Sequence, residues 1–260
     1  MKIPAKFIKR ANEQLKKYQV IVRKLKRQEV NETDTVKVIN DIFADLFGYD
    51  KYTEITSEYA IRGTFCDLAI KQQSGKIYML VEAKGVSIPL KENHIKQATD
   101  YGVNHGTKWV VLTNSVDWKV YKIKYSQPIE RELVFEFNLL DMDLKKEKQL
   151  EVVFALSKEG QDLSVIDEIY SNNQVKNKYV LAGLIDSPEI YKLIKKQIKL
   201  YFENSIKITD EEISNFIKFD IFKREVWDSD EAKEYQKVLK KMIKKAEKKK
   251  QLSVTKQGVQ

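Results

Sequence analysis

The sequence predicts a layered α/β fold followed by an all-helical region, and three observations carry that expectation. First, Phe65 to Lys84 reads as two strands joined by a short turn: Cys66, Leu68 and Ile70 alternate with Phe65, Asp67 and Ala69, and Ser74-Gly75 supplies the turn. Its second run, Ile77 to Ala83, is apolar on both faces, as expected of a strand buried centrally in a sheet. Second, apolar residues at helical spacing precede this pair and return after it, before further strands. Third, from about Leu140 the two-residue period disappears and only helical patterns remain.

Taken in order, residues 4–28 form a helix with Phe7, Ile8, Ala11, Leu15, Tyr18, Val22 and Leu25 on one face and mostly Lys and Arg on the other. A second helix starts near Asn31-Glu32-Thr33, good capping residues, and stops at Gly48. Residues 52–59 lead as a strand into the central pair. A loop at 85–89 precedes a helix over 91–105, and strands follow at 108–113, 118–124 and 129–137. Helices are then expected over 146–157, 162–172, 176–185 and 188–204. Ser187-Pro188 supplies a cap with proline at the first helical position, and Thr209 with Glu212 forms a capping box. A last helix covers 229–250 and ends in a polar tail. The organisation is therefore a basic N-terminal helix (1–30) packed on a core (31–140), a helical domain (141–228) and a basic C-terminal helix and tail (229–260).

Composition restricts the class. A 260-residue chain that is 42% hydrophobic and 10% aromatic is globular. One cysteine, Cys66, excludes an intramolecular disulfide and suits a reducing cytoplasm; no apolar run approaches a membrane span and no signal-peptide core is present. The expectation is a soluble cytoplasmic protein. The net charge of +9 is uneven. Residues 1–30 carry ten Lys/Arg against two Glu, and residues 237–260 nine Lys against one Glu, so the chain between them carries a net of −7. Basic ends around an acidic core point to arms that meet a polyanion; the bland alternative is a solubility device.

The chemistry-bearing residues sit where the hairpin is most apolar. Glu82 and Lys84 share one face of their strand, and Asp67 lies on the preceding strand. Buried charges need one another, a metal, or both. Two carboxylates and a lysine can hold Mg²⁺ and position an attacking water. The alternative is an exposed strand-edge ion pair, which the apolar surroundings disfavour. Glu-x-Lys recurs at Glu231–Lys233 and Glu247–Lys249, but there on a charged helical tail. Cys66, Trp109, Trp118 and Tyr121 read as core, His94 and His105 as surface residues. One Cys and two His do not support a zinc site.

Asp67 followed by Glu82-Ala83-Lys84 resembles the PD-(D/E)xK nuclease superfamily, with Cys66 where the motif's proline would stand. Gln97-x-x-x-Tyr101 downstream and Glu32 upstream narrow this to a resemblance, over about residues 30–125, to the N-terminal nuclease domain of type I restriction enzyme R subunits. Val81-Glu82-Ala83 and Gly48-Tyr49 are similar to that family's pattern. The resemblance implies a restriction-endonuclease-like core, a mixed central sheet flanked by helices, with a C-terminal all-α domain added. It implies an endonuclease that hydrolyses DNA phosphodiester bonds in restriction or mobile-element defence. Asp67 and Glu82 would bind Mg²⁺, with Mn²⁺ as a substitute, and Lys84 would orient the water and stabilise phosphate charge. Gln97 would bond the water or phosphate, Tyr101 the DNA backbone, and Glu32 would face the metal from the second helix. Implied partners are DNA and methyltransferase or specificity subunits, with dimerisation one route to cutting both strands. No Gly-x-x-x-x-Gly-Lys-Ser/Thr loop occurs, so the expectation is a stand-alone relative without the translocase. The competing reading is a catalytically silent DNA-binding or protein-docking module on the same fold.

Overall fold

The computed structural model describes residues 2–61, 63–202 and 207–257, with the backbone alone for Thr64 and for 245–257. The polar tail expected after residue 250 is helical to Gln257, and its last positions, 258–260, like positions 203–204 of the helix expected over 188–204, lie outside the described residues. The chain forms two compact units, Met1–Tyr170 and Ser171–Gln260.

The first unit opens with α1 (Ala5–Gln28), whose Phe7, Ala11, Leu15, Tyr18 and Val22 are buried at helical spacing. Glu29 closes it in the left-handed region (φ 49°), its N–H donating to the carbonyls of Leu25 and Lys26. Helix α2 (Glu32–Asp45) is capped by Asn31, whose side chain accepts from the Asp34 N–H, and Gly48 ends the segment at φ 82°. Then come β1 (Ile55–Ile61), β2 (Thr64–Lys71), β3 (Ile77–Ala83), α3 (Glu92–His105), β4 (Trp109–Thr113), β5 (Asp117–Lys124) and β6 (Glu130–Asn138). The six strands lie side by side in chain order. All neighbours are antiparallel except β3 and β4, which run parallel because α3 carries the chain back across one face.

One sheet face presents Leu68, Ile70, Met79, Val81, Trp109, Val111 and Trp118 to α1 and α2 in the main core. Phe43 and Phe47 of α2 pack against the Trp118 ring, whose other neighbour is a stacked Phe137. The opposite face is covered by α3. There Ala98 meets Val110 and Ile123, while the Tyr101 ring packs on a small cluster of Ile61, Cys66, Ala69, Ile77 and Leu80. Cys66, Trp109, Trp118 and Tyr121 are all buried, as expected of core residues.

The compact unit does not end with the sheet near residue 140. Helices α4 (Glu147–Ala155) and α5 (Lys158–Asp162) follow, and α6 (Val165–Val175) begins within it. Val153, Phe154, Ala155, Leu156, Val165 and Ile166 are fully buried in the same core as α1, with Phe154 edge-on to Phe7 at 4.9 Å. Arg10 fastens this arrangement. Its guanidinium bonds both carboxylate oxygens of Glu159 at 2.8 Å and donates to the carbonyls of Leu46 and Phe47.

The second unit is helical. It comprises α7 (Lys178–Ile185), α8 (Pro188–Tyr201), α9 (Asp210–Asn215) running into a π-helical turn (Phe216–Ile221), α10 (Glu225–Asp228) and α11 (Asp230–Gln257). Thr209 and Glu212 form the expected capping box. Two small cores hold it, one of Tyr179, Ala182, Val226 and Ala232 and one of Tyr191, Ile213 and Ile217. Among the described residues no helix is long and apolar enough to cross a membrane.

Two consequences of the Arg10 and α5 packing are measurable. A Cβ on Gly160 would lie 1.9 Å from the Phe154 carbonyl oxygen, so Gly160→Ala is expected to lower the urea unfolding free energy by about 1–3 kcal/mol, as overpacking does. Burial opposes ionisation of Glu159, but Arg10 more than offsets it and holds the carboxyl below its ordinary value near 4.5. A depressed pKa contributes stability above the unfolded value that is lost as pH falls through the folded one. Glu159→Gln should therefore flatten the fall of the urea midpoint below about pH 4.5 relative to the parent chain.

Candidate active site

Asp67 projects from β2 and Glu82 from the end of β3, facing positions in the antiparallel register that pairs Leu68 with Val81 and Ala69 with Leu80. The Ala83 N–H donates to Asp67 Oδ2 at 2.7 Å, tying that carboxylate to the end of β3. One residue on, the Lys84 N–H donates to the Thr113 carbonyl, so β4 holds the backbone from which the lysine departs. Lys84 Nζ then bonds Glu82 Oε1 at 2.7 Å and stands 3.8 Å from Glu32 Oε1. The structure thus brings together Asp67, Glu82, Lys84 and Glu32.

The α2 entrance is anchored there by a threonine. Thr35, fully buried, donates through Oγ1 to the Asn31 carbonyl and accepts from the Val86 N–H at 3.1 Å. Gly85 lies between, where a Cβ would be 3.7 Å from the Glu32 nitrogen. The loop leaving β3 and the first turn of α2 are in this way one packed unit.

Burial sets the electrostatics. Glu82 is 2% exposed, and desolvation, helped by Asp67, pushes its carboxyl up to about 7 against the opposing pull of Lys84. Asp67 is also raised, first by burial and then by Glu32 and Glu58, although the Ala83 N–H and Lys84 oppose this. Burial works against a charged Lys84, yet Glu82, Glu32 and Asp67 together raise it, favouring the ammonium form.

Gln97 and Tyr101 stand apart from this group. The exposed Gln97 donates to the Tyr101 hydroxyl at 3.0 Å, and the Tyr101 ring packs beside Cys66, Ala69 and Leu80, which flank the two acids. Neither makes a hydrogen bond to Asp67, Glu82 or Lys84 among the described residues. His94, in the first turn of α3, feels the charges of Lys84 and Glu32; burial, Lys84 and Lys91 hold its pKa down. Its Nδ1 accepts from the Lys91 N–H at 3.3 Å.

Sequence reasoning missed Glu58. It occupies the β1 position opposite Asp67 in a register that pairs Ser57 with Leu68 and Tyr59 with Cys66. Its φ of 49° is unusual for a non-glycine residue in a strand. Side-chain alternation breaks there: Ile55 enters the main core and Ile61 the cluster beneath α3. Glu58, Glu32 and Asp67 line a cleft of about 490 Å³ beside α2. The cations that line it, Lys37 and Lys51, are paired with Asp34 and Asp41. The sequence carries the glutamate, but its convergence depends on pairing between strands.

Oxygen donors on an acidic, solvent-reached cleft fit a hard divalent cation better than a soft one. No group of three or more His, Cys, Asp or Glu side chains is already gathered for a metal among the described residues. Of the two acids named from the sequence, Asp67 lines this cleft, whereas Glu82 lies outside its lining and is bonded to Lys84.

The anchor at Thr35 yields a local test. Thr35→Val removes the acceptor of the Val86 N–H with little change in volume. It should cost about 1–3 kcal/mol, the penalty for an unmatched buried polar group. Hydrogen exchange at the Val86 amide should quicken at the same time; an unchanged rate would show that the bond does not hold the loop.

No curated protein and no solved structure matches the chain. A family model does, and it spans α2 from residue 37 onward, the whole sheet nearly to its end, and all of α3. Residues 37–137, which contain Asp67, Glu82, Lys84, Gln97 and Tyr101, match the family described as type I restriction enzyme R protein N terminus.

Proposed function

We propose that the first unit is a metal-dependent DNA endonuclease with a restriction-endonuclease-like core, acting in restriction or mobile-element defence. The observation that carries this reading is the buried Glu82 bonded to Lys84 at 2.7 Å, with Asp67 tied to the same strand end by the Ala83 N–H. A carboxylate this buried serves no solvated surface role, and it lies within a domain of a restriction-enzyme family.

Asp67 and Glu82 would hold Mg²⁺, or Mn²⁺ in its place. Bound there, the cation would supply Lewis-acid activation of water and phosphate. The chain's own residues do the rest. Lys84 is held by Glu82 and Glu32 so that its ammonium faces the carboxylates, where it orients the attacking water and stabilises charge on the scissile phosphate. Glu32 keeps Lys84 from turning to solvent and adds an acceptor at the cleft. Gln97 and Tyr101, bonded to each other on α3, would meet the phosphodiester backbone as it enters. DNA is the proposed partner, and methyltransferase or specificity subunits remain partners by family analogy.

The second reading is a catalytically silent binding module. It draws on the same Glu82–Lys84 pair, which satisfies both charges within the protein.

Nicking of supercoiled plasmid separates the two. On the nuclease reading, cleavage requires Mg²⁺ or Mn²⁺ and disappears in Asp67→Ala. Glu82→Gln should reduce it by about 10²–10³-fold or more while the far-ultraviolet dichroism is unchanged. Lys84→Ala should keep duplex affinity within a few-fold and lose cleavage. Activity of Glu82→Gln within a few-fold of the parent would overturn the assignment. Salt-sensitive binding with no cleavage under any divalent ion would favour the silent module.

A further inference from the structure

We propose that the exposed side of α1 is a phosphate-tracking ridge along which the DNA duplex lies on its way to the Asp67–Glu82–Lys84 site; this rests on the nuclease reading for the identity of the polyanion. The helix carries nine Lys and Arg and one acid, Glu13. The fold separates these cations into two groups. Arg10 is bound to Glu159, Lys17 to Asp45, and Arg23 to the Leu140 carbonyl. The other six, Lys6, Lys9, Lys16, Lys24, Lys26 and Arg27, are exposed and have no carboxylate partner among the described residues.

Their placement is not that of a scattered solvated face. At 3.6 residues per turn, Lys6, Lys9, Lys16, Lys24 and Arg27 fall within an arc of about 80°, which the helix's one acid, Glu13, shares. They extend over roughly 32 Å of helix, the length of about nine phosphates on one DNA strand.

A lysine-rich amphipathic helix can equally mark a membrane surface. Here the apolar side is spent inside the protein: Phe7, Ala11, Leu15, Tyr18 and Val22 are 0–4% exposed in the main core. What is left for a partner is charge, with Val20 the one large apolar residue exposed on the helix. That surface fits a polyanion and has nothing with which to enter a bilayer.

The ridge also leads somewhere. Five residues after Arg27 comes Glu32, 3.8 Å from Lys84. A Cβ on Gly85, the residue after that lysine, would be 3.8 Å from the Val30 carbonyl in the α1–α2 link. The link that follows the basic end of α1 therefore lies beside the residue after Lys84. Acids dominate the cleft itself, so attraction of a duplex has to come from a neighbouring element, and α1 is the element that adjoins it.

The test measures binding without chemistry. Affinity for two unrelated fluorescent duplexes of about 30 base pairs is determined by anisotropy in EDTA across a salt series, for the full chain and for a Lys6→Gln, Lys9→Gln, Lys16→Gln, Lys24→Gln variant. Each phosphate contact contributes about 0.9 to the slope of log K against log salt, so the variant's slope should be flatter by roughly three to four units on both duplexes. A control that removes four exposed lysines elsewhere in the first unit, Lys76, Lys145, Lys146 and Lys148, should change it by less than one. An unchanged slope in the α1 variant, or an equal change in the control, overturns the ridge. Because glutamine retains helix propensity, thermal unfolding of both variants should match the parent. Plasmid nicking in Mg²⁺ is scored separately. A flattened slope with no nicking by the parent chain supports the ridge and overturns the nuclease reading; nicking with an unchanged slope does the reverse.

Discussion

The candidate site depends on a carboxylate placed where water is nearly excluded. Glu82 sits at the end of a strand flanked on both sides, and its charged form is opposed by burial and favoured by Lys84 at 2.7 Å. A buried ion pair of this kind adds little net stability, because desolvating both partners costs about as much as their attraction returns. The neighbouring architecture holds that pair in place: the Thr113 carbonyl fixes the backbone of Lys84, and Thr35 fixes the loop that follows.

Placing β4 parallel to β3 requires a crossover, and α3 provides it on the face opposite α1 and α2. The remaining neighbours are antiparallel and need only short links, so the one long connection is the helix that closes this second face of the sheet. On the other face, α1 and α2 are joined to α4 and α5 by a common aromatic and aliphatic core. Arg10 reaches from α1 to the ends of two of those helices. The acids on the α2 side and the cations on α1 are thereby held within one unit.

Much of the site was legible in the residues because it is local. Asp67, Glu82 and Lys84 fall on two strands joined by a short turn, so alternation and turn chemistry suffice to bring them near one another. Glu32 was legible only through the family pattern, and its approach to Lys84 depends on Thr35 and Gly85 bringing a helix start against a strand end. Gln97 and Tyr101 share a helix face as four-residue spacing requires, yet their hydrogen bond is to each other, while the Tyr101 ring packs on the sheet. Glu58 could not be found at all, because its position opposite Asp67 is a matter of register and of a backbone twist that no local pattern announces.

By itself the sequence determined the kinds of element and most of their limits: two N-terminal helices, a buried strand pair, α3, three further strands and a helical remainder. Periodicity, Asn31 and the Thr209–Glu212 box specify these locally, since a side chain's effect on its own backbone reaches only a turn or two. Tertiary structure alone decided three things. It kept Val153 to Ile166 in the core of the sheet, although the strand pattern stops near residue 138. It spent Arg10, Lys17 and Arg23 of α1 on partners 28 to 149 residues away and left five cations in line. And it set Glu58 across from Asp67. Each rests on contacts between distant segments, whose geometry is fixed by how the faces pack and not by the order of residues within any one of them.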